Sequence, residues 1–423
     1  MPSIATSLPG NGDPLRLRGT LAEHGVTFNA IYTGEVLGNA SGGLRRGAIG
    51  EGKLEVNATV DMERLAGWSG LRLYGNAFQI HRTGGISRDL VGAVQTISAI
   101  EALPSTRLSE LWLEQNVGTM SLRVGQLTAD SEFTISSYSL LFLNSDFPAI
   151  TKQNLPGTGP AYPLSTPGAR LKWQPSEAVS LLGAVFNGNP AGRGDDPERL
   201  NRNGTNFRLS DPPLLWSELQ LRANQDAEDT GLASIVRFGG WYHTGRFDSQ
   251  RFDRFGRSLA DPASTGLSAR LRSDSGIYAI LDQQIYRLPG GDSDKGIAVF
   301  SRVSASPSDR NLIDAYLDGG IVFSGLNGAR PNDKFGVTFL YSHLSNVGRG
   351  LDRDFAALSP ARLTRRDYEL AIEATYLAEI RPGWSIQPDL QYVIHPGGRI
   401  PQAAGDPTPK NATIIGLRTT VVY

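Results

Sequence analysis

The stretch ELWLEQNVGTMSLRVGQ, Glu110 to Gln126, decides how the chain is read. Leu111 and Leu113 alternate with Glu110, Trp112 and Glu114. After a break at Val117-Gly118, Met120, Leu122 and Val124 alternate with Ser121, Arg123 and Gly125. Successive side chains of a strand point to opposite faces, so the stretch reads as two strands and a tight turn with one greasy face and one ionised face. A soluble sandwich turns its apolar face inward and its charged face to water. A membrane barrel turns its apolar face to lipid and lines an aqueous lumen with charge. Both arrangements alternate, so the rest of the chain must choose between them.

Period-2 alternation recurs from end to end, and helical periodicity hardly occurs. Val26, Phe28, Ala30 and Tyr32 oppose Thr27, Asn29 and Ile31; Leu54, Val56, Ala58 and Val60 oppose Glu55, Asn57, Thr59 and Asp61. Tyr368, Leu370, Ile372, Ala374 and Tyr376 oppose Glu369, Ala371, Glu373 and Thr375, and Ile415, Leu417 and Val421 oppose Arg418 and Thr420. The runs amount to about sixteen strands of the ~10 residues a tilted transmembrane strand needs. They start near Val26, Glu51, Gly70, Thr106, Thr119, Gly168, Ala178, Leu214, Leu232, Ser275, Gly296, Ala315, Lys334, Asp367, Trp384 and Asn411.

The connections alternate in length. Short links at Val117-Gly118, QPSE and IRPG fall at every second junction. Between them lie long segments: 39–50, 81–105, 129–167, 188–213, 245–274, 345–366 and 395–410. Short periplasmic turns opposed to long extracellular loops are the asymmetry of an outer-membrane barrel. No linker or composition shift divides the 423 residues, although a single soluble core splits beyond ~250–300 residues. Closing the sheet also pairs every strand edge, as lipid demands. Tyr32, Tyr368, Tyr376, Tyr392 and Tyr423 sit at strand ends or on the apolar face, as an aromatic girdle does.

The expected fold is therefore an all-β, transmembrane, antiparallel up-and-down barrel over 26–423, preceded by an N-terminal periplasmic segment, 1–25. The segment 129–167 is too long and too apolar to lie free in water, which predicts that it folds into the lumen as a constriction, with Leu140, Leu141, Phe142 and Phe147 on the inner wall.

Composition narrows the function. Forty-one Lys and Arg nearly balance 42 Asp and Glu, so net charge gives no reason to expect nucleic acid. Cysteine is absent, which removes thiolate zinc sites, disulfides and thiol nucleophiles together. No apolar run is long enough for a membrane-spanning helix. The start, MPSIATSLPGNGDP, carries neither a charged n-region nor an apolar h-region, so an export signal would have been removed ahead of this numbering.

The chain resembles the carbohydrate-selective porin family (OprB-like) of Gram-negative outer membranes. The resemblance rests on YTGEVLGNASGG, LAGWSGLRLYGNAFQIHR, GAVQTISAIEALPSTRLSELWLEQ, SLRVGQLTADSEF, LPGTGPAYPLSTPGARLKWQP, RPGWSIQPDLQYVIHPGG and IIGLRTTVVY, in that order. It implies a sixteen-stranded porin of the outer membrane that passes sugars, glucose-type monosaccharides among them, by diffusion. The chain ends in Tyr423 where this class commonly ends in Phe, and LNSDFPAI is shorter than the family's versions.

Glu110, Trp112 and Glu114 on one strand and Arg123 on its partner are the leading candidates for a sugar-contacting wall. Carboxylates and guanidinium groups hydrogen-bond vicinal hydroxyls, and an indole offers a flat surface to a pyranose. The same groups also read as a charge ladder bracing the lumen. Glu35 and Arg72 follow on the polar faces of the first and third strands. Arg107, Asp130 and Glu132 flank the long loops, where fastening a loop is the favoured role. Tyr162 is either sugar-facing or packed within its loop.

The five histidines, His24, His81, His243, His343 and His395, are too scattered for a metal or catalytic cluster. No cofactor, metal or catalytic group is expected. GGDSDKG reads as a turn in preference to part of a calcium loop. The rival function is an outer-membrane barrel hydrolase built on His243 or His343, for which no serine or carboxylate partner is evident. A further alternative keeps the barrel but changes the solute to an anionic or other small hydrophilic one. Expected partners are small sugars, outer-membrane lipid and lipopolysaccharide; a homotrimer and a monomer both stay open.

Overall fold

The computed structural model describes residues 3–144, 149–226, 228–289, 294–358, 365–400 and 408–423. Sixteen antiparallel strands close into one barrel, each bonded to its neighbours in sequence and the first to the last. They are β1 (Val26–Gly43), β2 (Gly47–Asp61), β3 (Leu71–Arg82), β4 (Ser105–Val117), β5 (Met120–Leu127), β6 (Thr166–Ser176), β7 (Val179–Asn187) and β8 (Pro213–Ala223). There follow β9 (Ser234–Asp253), β10 (Ser268–Arg287), β11 (Gly296–Ala305), β12 (Ile313–Ser324), β13 (Lys334–Leu344), β14 (Tyr368–Arg381), β15 (Trp384–Ile394) and β16 (Lys410–Val422). The seam runs from Ile31 opposite Val422 to Gly43 opposite Lys410.

The two faces differ as a membrane barrel requires. Leu111 and Leu417 are 52% and 50% exposed, and Leu113, Leu122, Val124, Leu171, Leu181, Ile277, Ile372, Leu390 and Ile415 share their outward face. Their alternating neighbours, among them Glu110, Arg170, Glu218, Asp282, Arg302, Asp318, Glu369 and Glu373, are buried. Exposed aliphatics beside buried charges invert the soluble pattern, so the outer face contacts hydrocarbon and the inner face encloses the polar groups.

Tight turns close one end of the barrel. Gly118 takes φ +55° between β4 and β5, and Gly383 takes φ +78° after Pro382, between β14 and β15; both are left-handed conformations that glycine adopts without steric cost. The segment ahead of β1 lies at this end: Arg18 packs its guanidinium over the rings of Phe28 and Tyr423, 5.2 and 4.9 Å from their centroids.

Two expected loops and four turn-end links are corrected. The link expected at 39–50 shrinks to residues 44–46, because Asn39, Ser41 and Gly43 still pair with β16 through bulges. The loop expected at 245–274 is mostly strand: β9 and β10 are each 20 residues long, and their hairpin narrows to 254–267. At the turn end, 62–70, 224–233, 288–295 and 325–333 are longer than tight turns.

Segments between β3 and β4 and between β5 and β6 pack against the face opposite the outer apolar belt. Ile86, Leu90, Val91, Ile97 and Leu143 form one buried cluster with Leu37, Ile49, Leu340, Ala371, Val393, Ala412 and Ile414. Phe133, Leu155 and Ala161 form another with Leu182, Phe186, Leu214, Trp216, Trp241 and Tyr278. Leu141 and Phe142 meet Phe300 and Val322. Leu140 is 66% exposed and does not join them, because adjacent residues of the 3-10 turn Ser139–Leu141 cannot share one face. Phe147 and most of GGDSDKG lie outside the described residues.

Candidate functional site

The hairpin that opened the sequence reading stands at the centre of a charged wall. Register places Arg123 opposite Glu114 and Arg170 opposite Arg123. Arg170, 2% exposed along its side chain, reaches Glu114 Oε1 at 2.7 Å and Glu132 Oε2 at 2.6 Å, and donates to Ser121 Oγ at 2.6 Å. Arg123 lies 3.2 Å from Glu114 and 3.5 Å from Glu132. Two guanidinium groups thus share two carboxylates, and the tetrad is formally neutral. Glu132 belongs to the β5–β6 segment, so the tetrad also ties that segment to the wall.

Trp112 stands beside the tetrad with both neighbours over its ring system. Tyr74 on β3 stacks at 4.8 Å with an interplanar angle of 23°, and Arg123 on β5 places its guanidinium carbon 3.8 Å from the ring centroid. Since β4 lies between β3 and β5, these contacts cover the indole from both sides. Tyr74 and Arg123 thus already pack over the indole that was expected to offer a flat surface to a sugar.

The other candidates divide by place. Glu110 accepts the N–H of Thr128 at 3.2 Å. Asp130 accepts the N–H of Tyr162 at 2.7 Å, and the Tyr162 hydroxyl donates to Ile100 O at 2.8 Å. Tyr162 also packs on Phe78 at 5.4 Å, and the Lys53 ammonium lies 5.0 Å from the Tyr162 ring and 4.8 Å from that of Phe78. Arg107 is 1% exposed and donates to Pro163 O (2.9 Å), Glu198 O (3.3 Å) and Ser105 Oγ (3.0 Å). Glu35 is paired across the seam with Arg418 at 2.5 Å. Arg72 is exposed; it stands opposite Glu114 and Asp61 in register, yet makes no ion pair with either. Glu110, Trp112, Glu114, Arg123 and Glu132 are thereby brought together; Glu35 stands apart, and Arg72 is adjacent to Glu114 without pairing to it.

Several wall residues escaped the sequence reading. Arg170 and Lys172 alternate with Ala169, Leu171 and Trp173 in ARLKWQ, the same signal that identified Arg123. Lys172 makes no ion pair among the described residues, and Arg222 donates to Ser180 Oγ at 2.8 Å and to Gln220. In the β3–β4 segment, Glu101 accepts Ser87 N–H and Oγ–H at 3.1 and 2.5 Å, and burial pushes its carboxyl above the usual range.

The histidines are occupied. His243 is buried, with Nε2 2.9 Å from Gly188 O and Nδ1 accepting Gly245 N–H at 3.0 Å. His343 places Nδ1 2.6 Å from Asp314, and its Nε2, where a hydrolase would present serine, faces Arg349 at 3.2 Å.

The family model for carbohydrate-selective porins of the OprB family matches residues 45–423. The chain belongs to this family. Porin B of Pseudomonas aeruginosa is 24% identical over 96% of this chain and 89% of its own length. The high-pH structure of Pseudomonas putida OprB superposes with a TM-score of 0.85 at 21% identity, covering 98% of each chain. The outer-membrane channel DcaP of Acinetobacter baumannii gives 0.52 at 11% identity, covering 94% of this chain and 97% of its own. As an OprB-family porin the chain is a carbohydrate-selective channel of the bacterial outer membrane, and its polar face is the wall of a pore.

Proposed function

We propose that glucose-type monosaccharides cross the lumen along the β4–β6 wall, narrowed by the segment 129–167, with residues 1–25 on the periplasmic side. The single observation carrying this reading is the neutral tetrad of Glu114, Arg123, Glu132 and Arg170. Donors and acceptors at fixed spacing exchange hydrogen bonds with a polyhydroxylated solute, while zero net charge gives an ion no electrostatic preference. Glu110, Trp112 and Tyr162 shape the approach, and Arg107 and Asp130 hold the loops. Glu35 lines the pore away from the tetrad, and Arg72 stands beside Glu114 without joining its ion pairs.

Liposome swelling with a panel of monosaccharides and disaccharides tests the assignment. Arg123→Ala and Glu114→Ala are expected to change monosaccharide uptake relative to disaccharide; unchanged rates in both variants would remove the tetrad from the solute path. A second reading, passage of anionic solutes, is favoured by Lys172 and Arg222, which lack carboxylate partners among the described residues. Zero-current potentials across a planar bilayer separate the two: pronounced anion selectivity abolished by Lys172→Gln supports the second.

A further inference from the structure

The outer face carries a hollow that sugar passage does not use. A groove of about 730 Å³ is lined by Leu111, Val124, Ala169, Val185, Phe207 and Leu209, among others. Its floor is the lipid-facing side of β4 to β7, where Ala169 sits in register between Val124 and Val185 and leaves a trough between larger side chains. Its roof is the β7–β8 segment, which runs back over β6 and β5 to reach β4. Asn203 O accepts Leu108 N–H at 2.9 Å, and Gly204 O accepts the amide of Gln126 at 3.2 Å. The roof then returns through Phe207 and Leu209, 52% and 80% exposed.

Apolar side chains this exposed on a surface segment mark contact with lipid or another apolar partner. The groove lies at the long-loop end of the barrel, so it faces the outer leaflet. The roof also presents Arg193 and Arg202. Both are exposed; Arg193 acts electrostatically on Asp211 at the groove's edge, Arg202 donates to Pro104 O at 3.1 Å, and neither forms an ion pair among the described residues. An apolar trough beneath exposed guanidinium groups fits an amphiphile bearing both an acyl chain and phosphate. A second copy of the chain would offer hydrocarbon and carboxylates, but not the phosphate that guanidinium groups bind in bidentate fashion.

We propose that this groove seats one acyl chain of a lipid A molecule, whose phosphates meet Arg193 and Arg202. Native mass spectrometry of the whole protein, released from detergent and titrated with lipid A or with phosphatidylglycerol, tests the proposal. One saturable lipid A adduct is expected on the wild type. Adduct affinity should fall about tenfold in Ala169→Phe, which fills the trough, and in the Arg193→Glu/Arg202→Glu double variant. Heat-modifiable mobility and unchanged glucose uptake report an intact barrel, and Leu209→Ser, on the roof alone, serves if the filled trough does not fold. Equal lipid A retention by all variants, or equally tight phosphatidylglycerol, overturns the proposal. So does a chain–chain dimer that Ala169→Phe abolishes, which would make the face an interface between copies.

Discussion

Arg170 and Arg72 point into the same lumen with opposite consequences. Arg170 is enclosed by Glu114, Glu132 and Ser121, so Arg170→Met would leave two carboxylates sharing only the longer contacts to Arg123. Breaking an enclosed ion pair by removing one partner typically costs about 3–5 kcal/mol; with an aqueous lumen nearby, the lower end is expected. Arg72 is exposed and makes no ion pair among the described residues, and Arg72→Ala should stay within about 0.5 kcal/mol of the parent. Urea titration of the heat-modifiable species measures both, and equal losses would show that the tetrad contributes nothing special to stability. Alternation made Arg170 readable in the sequence. It could not place Arg107, because β4 carries an extra residue between Leu108 and Leu111 where β3 advances from Ala77 to Gly75. That bulge turns Arg107 to the face of Phe78, and period-2 counting misses such a change of phase.

At the scale of elements, strand starts were legible wherever one face meets lipid, because hydrocarbon enforces the alternation. Beyond the bilayer both faces are wet and the signal fades. The stretch from Gly245 to Asp253 carries Arg246, Asp248, Ser249, Gln250 and Arg251 with little apolar contrast, yet it continues β9. This extension holds the helix Asn346–Leu358: Arg251 forks onto Asp354 at 2.7 and 2.8 Å, and Ser258 adds a bond at 2.5 Å. The Arg251 hydrogen bond holds the Asp354 carboxyl below its ordinary range. A depressed carboxylate stabilises the folded form above its unfolded pKa, and that contribution disappears as pH falls through the folded value. The helix should therefore stay docked at neutral pH and loosen in acid below the usual aspartate range. Amide hydrogen exchange across 346–358 checks this: Asp354→Asn should show the faster exchange already at neutral pH, and acid should add little to it. A wild-type-like profile in Asp354→Asn would assign the docking to other contacts.

For the whole molecule, the path of the β5–β6 segment is written on the barrel wall. Backbone N–H groups inside a barrel need acceptors, and this segment finds them in carboxylates spread around the wall. Thr128 donates to Glu110 on β4 and Thr134 to Glu218 on β8; Ser137 donates to Asp282 on β10, and Leu143 and Asn144 donate to Glu373 on β14. The last two bonds measure 2.6 and 3.0 Å. The segment thus follows the wall from strand to strand, held by acceptors distant from it in sequence, which is why its path could not be read from the loop residues alone. Hydrogen bonds to charged groups contribute roughly 1.5–3 kcal/mol each. Glu373→Gln replaces an oxygen with a donor, so one of the two N–H groups loses its acceptor and the far end of the segment is freed from β14. On the proposed reading that this segment narrows the pore, single-channel recordings should show larger and noisier conductance for Glu373→Gln. Asp282→Asn, on a separate strand, should add a nearly independent increment. Because the strand ladder is untouched, both variants should keep the heat-modifiable mobility of the parent. Parent-like conductance and noise in both would mean that the segment is held by its apolar clusters, with the carboxylates incidental to pore width.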